Sequence, residues 1–283
     1  MSGYIKTDLT GQVAVVTGGG GVLGSYFCTA LAEAGAKVAV LGRTLANCEE
    51  VAEGIRHDGG EAVALSCDVT DKSSVEAART EIGRALGTCD ILVNGAGGNS
   101  PKASTDDEYL DLERLEDPEA KDFFALDTDG IDFVFKLNFL GTLIPSQIFG
   151  RDMAPKSHAA VINVSSMNAF TPLTKIPAYS GAKSAVSNFT QWLSVYMSKT
   201  GVRVNAMAPG FLATKQNRDL LFDKDGNLTE RSHKIISATP MGRFGEPEEL
   251  LGTLLYLADH EASGFVNGIV IPVDGGFSAY SGV

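Results

Sequence analysis

Roughly the first ninety residues repeat one polarity pattern: a short β-branched run, a turn, then a longer segment with helical spacing. Val13–Val16 is followed by glycines and then by Leu23–Ala34. Lys37–Leu41 precedes Leu45–Arg56, Ala62–Cys67 precedes Ser73–Leu86, and Ile91–Asn94 adds a fourth run. Short apolar runs bounded by Gly and Asp suit strands buried on both faces. Ala159–Val164, Val202–Ala206 and Ile269–Val273 predict three more strands. Helices are predicted from Pro177 to about Lys199, stopped by Gly201, and over Glu248–Ala258, with Pro247 near its first position. Pro145 falls inside a helical run and predicts a kink. Strands alternating with helices imply parallel crossovers. The expectation is an α/β chain with a doubly wound, parallel seven-stranded sheet in a single domain over residues 1–283.

One stretch breaks the rhythm. Residues 104–132 hold twelve acidic and two basic residues, a net −10 of the chain's −12. This predicts an acidic insertion at about 99–132, either a solvated surface loop or a lid over the strand ends. The overall balance, 23 Lys and Arg against 35 Asp and Glu, argues against nucleic acid and an anionic membrane surface as partners. No apolar run approaches the ~20 residues of a membrane-spanning helix, and the opening MSGYIKTDLTGQ lacks a signal peptide's apolar core. Cys28, Cys48, Cys67 and Cys89 have neither zinc nor disulfide spacing, and the four histidines are scattered. A cytoplasmic chain with reduced thiols and no metal is expected.

After the first strand comes Thr17-Gly18-Gly19-Gly20-Gly21-Val22-Leu23-Gly24. Gly19, Gly21 and Gly24 satisfy G-x-G-x-x-G between a strand and a helix, where bare backbone can approach a pyrophosphate. This is the Rossmann-type signature of a dinucleotide site. An NAD site usually carries Asp or Glu at the end of the second strand; here Arg43 stands there and can pair with a 2′-phosphate. NADP(H) is therefore favoured, with NAD(H) the alternative. Asp68-Val69 lies where an adenine edge would be read, and Asn94-Gly95-Ala96-Gly97 brings backbone near the cofactor.

The decisive constellation is Ser165-Ser166 followed by Tyr179-Ser180-Gly181-Ala182-Lys183. Tyr179 and Lys183, four apart, share one helix face. A phenol titrates near ~10; an adjacent ammonium and the charge of an oxidised nicotinamide are expected to lower that value. Ser166 can hydrogen-bond the substrate oxygen.

With these motifs in order, the sequence resembles the short-chain dehydrogenase/reductase family over nearly its whole length. The family's glycine motif matches Thr17-Gly18-x-x-x-Val22-x-Gly24, with Val22 in place of the usual middle glycine, and its Asn-Asn-Ala-Gly matches Asn94–Gly97. The resemblance implies a catalytic tetrad of Asn138, Ser166, Tyr179 and Lys183. Asn138 would hold a water that links Lys183 to solvent, and Tyr179 and Lys183 would also touch the cofactor. Pro209-Gly210 and Thr214 match the family's nicotinamide-side loop, and Asp274-Gly275-Gly276 its last strand end.

Asn99–Ala103, the run Ser165–Tyr179 and the tail Phe277–Val283 are similar to the branch of the family that interconverts D-fructuronate and D-mannonate. That implies a sugar-acid ketone/alcohol pair as substrate. Its carboxylate needs a cation and its hydroxyls need small polar groups. Lys102, Lys175 and Arg218 are candidates for the carboxylate, and Asn168, with Gln216 and Asn217, for the hydroxyls. An acidic insertion beside such a pocket would repel an anion unless it folded outward. A reductase of a neutral sugar or acyl ketone, and a non-catalytic nucleotide-binding scaffold, are the competing readings. The apolar stretch Phe139–Phe149 and the helix after Tyr179 predict a homo-tetramer or dimer.

Overall fold

A computed structural model describes residues 6–214 and 218–282. Gln216 and Asn217 lie outside the described residues. The element order is β1 (Val13–Thr17), α1 (Val22–Glu33), β2 (Lys37–Gly42), α2 (Leu45–His57), β3 (Ala62–Ser66), α3 (Lys72–Ala85) and β4 (Ile91–Asn94). It continues with α4 (Thr128–Phe135), α5 (Gly141–Met153), β5 (Ala159–Val164), α6 (Pro177–Tyr196) and β6 (Val202–Pro209). The chain closes with α7 (Arg218–Leu221), α8 (Glu230–Ser237), α9 (Leu251–Ala258), α10 (His260–Ser263) and β7 (Val270–Val273).

All seven strands pair in parallel, in the order β3-β2-β1-β4-β5-β6-β7. This is the doubly wound Rossmann-type architecture expected. Alternation along β1 shows why the apolar runs are continuous. Ala14 and Val16 pack with Phe27 and Leu31 of α1 on one face. Val13 and Val15 pack with Val75 and Ile82 of α3 and Phe149 of α5 on the other. Each such fully buried side chain contributes roughly 1.5–3 kcal/mol over exposure, so a strand with polar alternation would not survive at the centre.

Several boundaries move. β6 runs on to Pro209 because Met207, Ala208 and Pro209 still pair with β7, and the Gly210 N–H then donates to the Val273 carbonyl. α6 ends at Tyr196, three residues short of Lys199, and Gly201 follows at φ 81°. The helix expected over Glu248–Ala258 starts as a 3₁₀ turn, Pro247–Leu250, capped reciprocally by Glu246 and Glu249. Pro145 lies inside α5, while a wide π turn, Lys136–Leu140, precedes that helix.

The acidic segment 99–132 is mostly irregular and ends in α4, whose N-terminus Asp127 caps. It does not stand clear of the body. Thr105 N–H donates to the Lys175 carbonyl at 2.9 Å, Lys175 Nζ donates to the Asp106 carbonyl at 2.6 Å, and Glu108 pairs with Lys234 of α8 at 3.1 Å.

Candidate active site

The glycines between β1 and α1 produce a helix start with nothing of its own to offer an anion's place. Gly21 is the N-cap and has no side chain, and no acidic residue lies in the first turn. The first N–H groups of a helix have no intrahelical acceptor and carry the positive end of its dipole. The loop is tightly folded: a Cβ at Gly24 would sit 2.0 Å from the Gly18 carbonyl oxygen. Val22, at the family's usual middle glycine, opens the helix, while Gly21 beside it lines an open cleft. Uncapped donors over bare backbone fit a pyrophosphate.

Thr17, fully buried, ties this loop to the end of β4. Its Oγ1 accepts from the Gly95 and Ala96 N–H groups at 3.1 and 3.3 Å. Beneath them Asn94 Nδ2 donates to Asn163 Oδ1 at 2.8 Å and to Ser146 Oγ at 3.0 Å. Thus Thr17, the glycine loop and Asn94–Gly97 form one rigid floor.

Three elements bring four candidate residues together beside that floor. Tyr179 and Lys183 lie on α6, Ser166 follows β5, and Asn138 is in the π turn. The Ser166 side chain lies near enough to the Tyr179 phenol to bear on its titration. Lys183, 4% exposed, places Nζ 5.6 Å from the Tyr179 ring centroid and donates to the Val164 carbonyl at 2.8 Å. A Cβ at Gly97 would meet Asn138 Oδ1 at 2.7 Å and Lys183 Nζ at 3.1 Å. Asn138 is wholly engaged. Its Nδ2 donates to the Gly98 and Val134 carbonyls, its Oδ1 accepts from the Gly98 N–H, and the Thr142 hydroxyl donates to its carbonyl. Its side chain therefore ties the Gly98 backbone beside Lys183.

The electrostatics of this chain's own groups follow burial. Burial pushes the Tyr179 phenol above its ordinary value, and only the Ser166 side chain pulls it down. Burial lowers Lys183 to about 8. Lys183 is bonded to a backbone carbonyl, so among this chain's own groups desolvation outweighs the expected lowering of the phenol by a neighbouring ammonium.

The other candidates are placed as follows. Arg43 is exposed at the end of β2, close to where Ser66 Oγ donates to its carbonyl. Asp68 Oδ1 accepts from the Thr70 N–H and hydroxyl, closing its own turn, and Val69 is buried against Gly141. Gly210 abuts Asp274 at the end of β7. Thr214 and Arg218 line a cleft of about 860 Å³ with Gly20 and Gly21, and Arg218 lies over the Phe222 ring. Asn168 is 3% exposed, its N–H donates to Ser166 Oγ, and among the described residues its Oδ1 has no partner. Lys102 pairs with Asp127 at 3.7 Å. Lys175, at φ 72°, is held to the acidic segment.

A second cleft, of about 430 Å³, opens where the segments after β6 and β7 meet the loop before α6. Phe211 and Phe277 form its apolar wall, with ring centroids 5.3 Å apart, and α8 crosses its other side with Arg231 and Lys234. Of these four, only Phe277 belongs to a stretch that the sequence singled out, the tail Phe277–Val283. The one usable signal was Thr229 before a polar–apolar run, a helix start that its Oγ1 completes by accepting from the Ser232 N–H. Among the described residues no helix is long and apolar enough to cross a membrane.

The chain belongs to the short chain dehydrogenase family, whose model matches residues 12–225. It is an oxidoreductase of that family. It is 55% identical over 276 residues to an uncharacterised oxidoreductase of Haemophilus influenzae, covering 98% of this chain and 96% of that one. A solved Haemophilus structure bearing the provisional name D-mannonate oxidoreductase, with NAD bound, matches at 54% identity and a TM-score of 0.94, covering 98% of each chain. A gluconate 5-dehydrogenase of Burkholderia cenocepacia, solved with NADP and tartrate, matches at 29% identity and a TM-score of 0.82, covering 97% of this chain and 98% of that one.

Proposed function

We propose that this protein interconverts a sugar-acid ketone and its secondary alcohol, D-fructuronate and D-mannonate, with a nicotinamide dinucleotide. The observation that carries the reading is the half-buried Tyr179 phenol close to Ser166, with Lys183 one turn along α6. The dinucleotide, when bound, supplies or accepts the hydride at the carbonyl carbon. Ser166 Oγ holds the carbonyl oxygen, and Tyr179 gives that oxygen a proton as its bond to carbon becomes single. Held above its ordinary pKa, the phenol stays protonated at neutrality and is a donor in the reducing direction. Lys183 keeps a positive charge below about pH 8, close enough to steady the phenolate left behind. The unpartnered Asn168 Oδ1 accepts a substrate hydroxyl. The backbone of Thr17–Gly24 and Asn94–Gly97, with Asp68, Val69, Pro209, Gly210 and Thr214, holds the dinucleotide, the helix start of α1 taking its pyrophosphate.

The sugar-acid part draws on the names of the two similar structures and on the polar loop from Ser166 to Tyr179. Arg43, exposed with no carboxylate beside it on β2, favours NADP(H); the NAD of the Haemophilus structure weighs towards NAD(H). One specific observation favours a neutral ketose instead: the acidic segment packs onto the body beside the second cleft rather than folding outward. A panel of uronates, aldonates and neutral ketoses with NADH and NADPH, read at the nicotinamide absorbance band, decides. Preference for a neutral ketose would replace the substrate reading. Tyr179→Phe should abolish turnover and spare cofactor binding; retained turnover would remove the enzyme mechanism.

The exposed face of α6 supports a homo-oligomer. Trp192, Val195 and Tyr196 are 57%, 74% and 70% exposed, and Trp192 stacks between Phe189 and Tyr196. Such apolar area on one helix suits a self-complementary interface. Val195→Glu should lower the sedimentation coefficient, and an unchanged value would refute this placement.

A further inference from the structure

We propose that Arg231, on α8, is the residue that binds the substrate's carboxylate; this rests on the sugar-acid reading above. The cleft it lines is bounded by Leu173–Ile176, Phe211 and Phe277. That loop is the chain between Ser166 and Tyr179, and the turn Met167–Ala169 packs on Phe277–Ala279. The cleft is therefore walled in part by the loop that joins the serine to the phenol. At about 430 Å³ it is within the usual range for a small-molecule site.

Elimination among the cations singles out Arg231. Lys102 faces Asp127, and Arg218 lies over Phe222 in the other cleft. Lys175 Nζ is held by the Asp106 carbonyl, and Lys234 by Glu108. Arg231 is exposed, and among the described residues no carboxylate is within ion-pair distance of it. Its guanidinium presents a planar fork that matches both oxygens of a carboxylate, which an ammonium does not.

The same geometry removes the objection posed by the acidic segment. The cleft is lined by three cations, Lys175, Arg231 and Lys234, against two carboxylates, Glu108 and Glu230, which leaves one net positive charge. Lys234 pairs with Glu108, the acidic segment's sole carboxylate among the lining residues. The remaining acidic groups of the segment act across solvent, where salt screens them over ~8 Å. The apolar wall of Phe211 and Phe277 lowers the local dielectric and strengthens a carboxylate–guanidinium contact.

The test uses the full-length protein as Arg231→Gln and Arg231→Lys, with D-fructuronate and D-fructose as substrates. Arg231→Gln should raise KM for D-fructuronate about 30-fold, the effect of losing a charge-assisted pair. KM for D-fructose, cofactor affinity and thermal midpoint should stay as in the parent, and Arg231→Lys should recover part of the loss. An unchanged KM for D-fructuronate, or equal losses on both substrates, overturns the assignment. If the parent turns over only the neutral ketose, the proposed substrate falls. Calorimetric binding of D-mannonate then reads Arg231 by itself: weaker binding by Arg231→Gln upholds the anion site, whereas unaltered or absent parental binding overturns it.

Discussion

Lys183 offers a measurement in which chemistry and stability oppose each other. Its pKa falls from 10.5 to about 8 because burial penalises the ammonium. The folded protein thus holds this proton less readily than the unfolded chain. Between about pH 8 and 10.5 the unfolded chain binds more protons, so stability rises with pH there. Below that window the charged group costs the fold about 3 kcal/mol, at 1.36 kcal/mol per unit. Lys183→Met removes the charge and also the bond to the Val164 carbonyl, worth about 1 kcal/mol. The variant should therefore be inactive yet more stable than the parent at pH 7, by about 2 kcal/mol. That advantage should shrink by about 2 kcal/mol on going from pH 7 to 9.5. The assay is urea unfolding of both proteins at one fixed concentration across that range, read as a difference. Subtraction matters because buried Cys67, raised to about 11, and the raised Tyr179 phenol titrate in the unfolded chain near the upper end and pull stability the other way in both proteins. Parallel stability curves from pH 7 to 9.5 would refute the desolvated-ammonium account, as would a variant less stable throughout.

Three further outcomes follow from the geometry. Gly97→Ala drives a methyl into Asn138 Oδ1 and Lys183 Nζ, and kcat should drop about 100-fold; parental kcat would show that Gly97 does not bear on Lys183. Arg43→Glu should raise KM for NADPH by 10-fold or more, as a rough expectation, while sparing NADH, since an acid there suits ribose hydroxyls. A KM ratio unchanged by the substitution would place Arg43 away from the cofactor. His158 and His260 have ring centroids 3.8 Å apart with planes tilted by 55°, and burial, His158 and Arg203 hold His260 below its ordinary pKa against Glu261 and Asp259. The unfolded chain then binds more protons below about pH 6.5, so stability should fall on acidification. His158→Asn should lessen that fall, and an identical acid profile would remove His158 as a cause.

The strands were readable because both faces of the sheet are covered. Central β1, β4 and β5 are apolar but for Thr17, Asn94 and Asn163, whose side chains are hydrogen-bonded, and such runs stand out from polar helices without an alignment. Their order follows from parallel crossovers. Met207-Ala208-Pro209 ends on a residue that usually closes a strand, so the end of β6 is hidden in the sequence; its length depends on pairing with β7, 64 residues further along the chain. The Ser166, Tyr179 and Lys183 set was readable since two of the three sit at a fixed helical spacing. What Lys183 bonds to was not. The π turn at Asn138 is a shift of hydrogen-bond register and has no residue type of its own. The cations show the same limit most clearly. Lys175 meets Asp106 across 69 residues and Lys234 meets Glu108 across 126, so which charges are paired is a property of the folded chain.

Lys175 has a left-handed backbone, its carbonyl accepts from Thr105, and its ammonium holds the carbonyl of Asp106. The segment before α4 and the loop before α6 are therefore stitched at one residue from both its main chain and its side chain. A chimaera that grafts residues 99–132 onto a homologous scaffold would arrive without its stitch unless position 175 travels with it. Exchange of either segment alone would meet the same restriction, because each is fastened to the other at position 175.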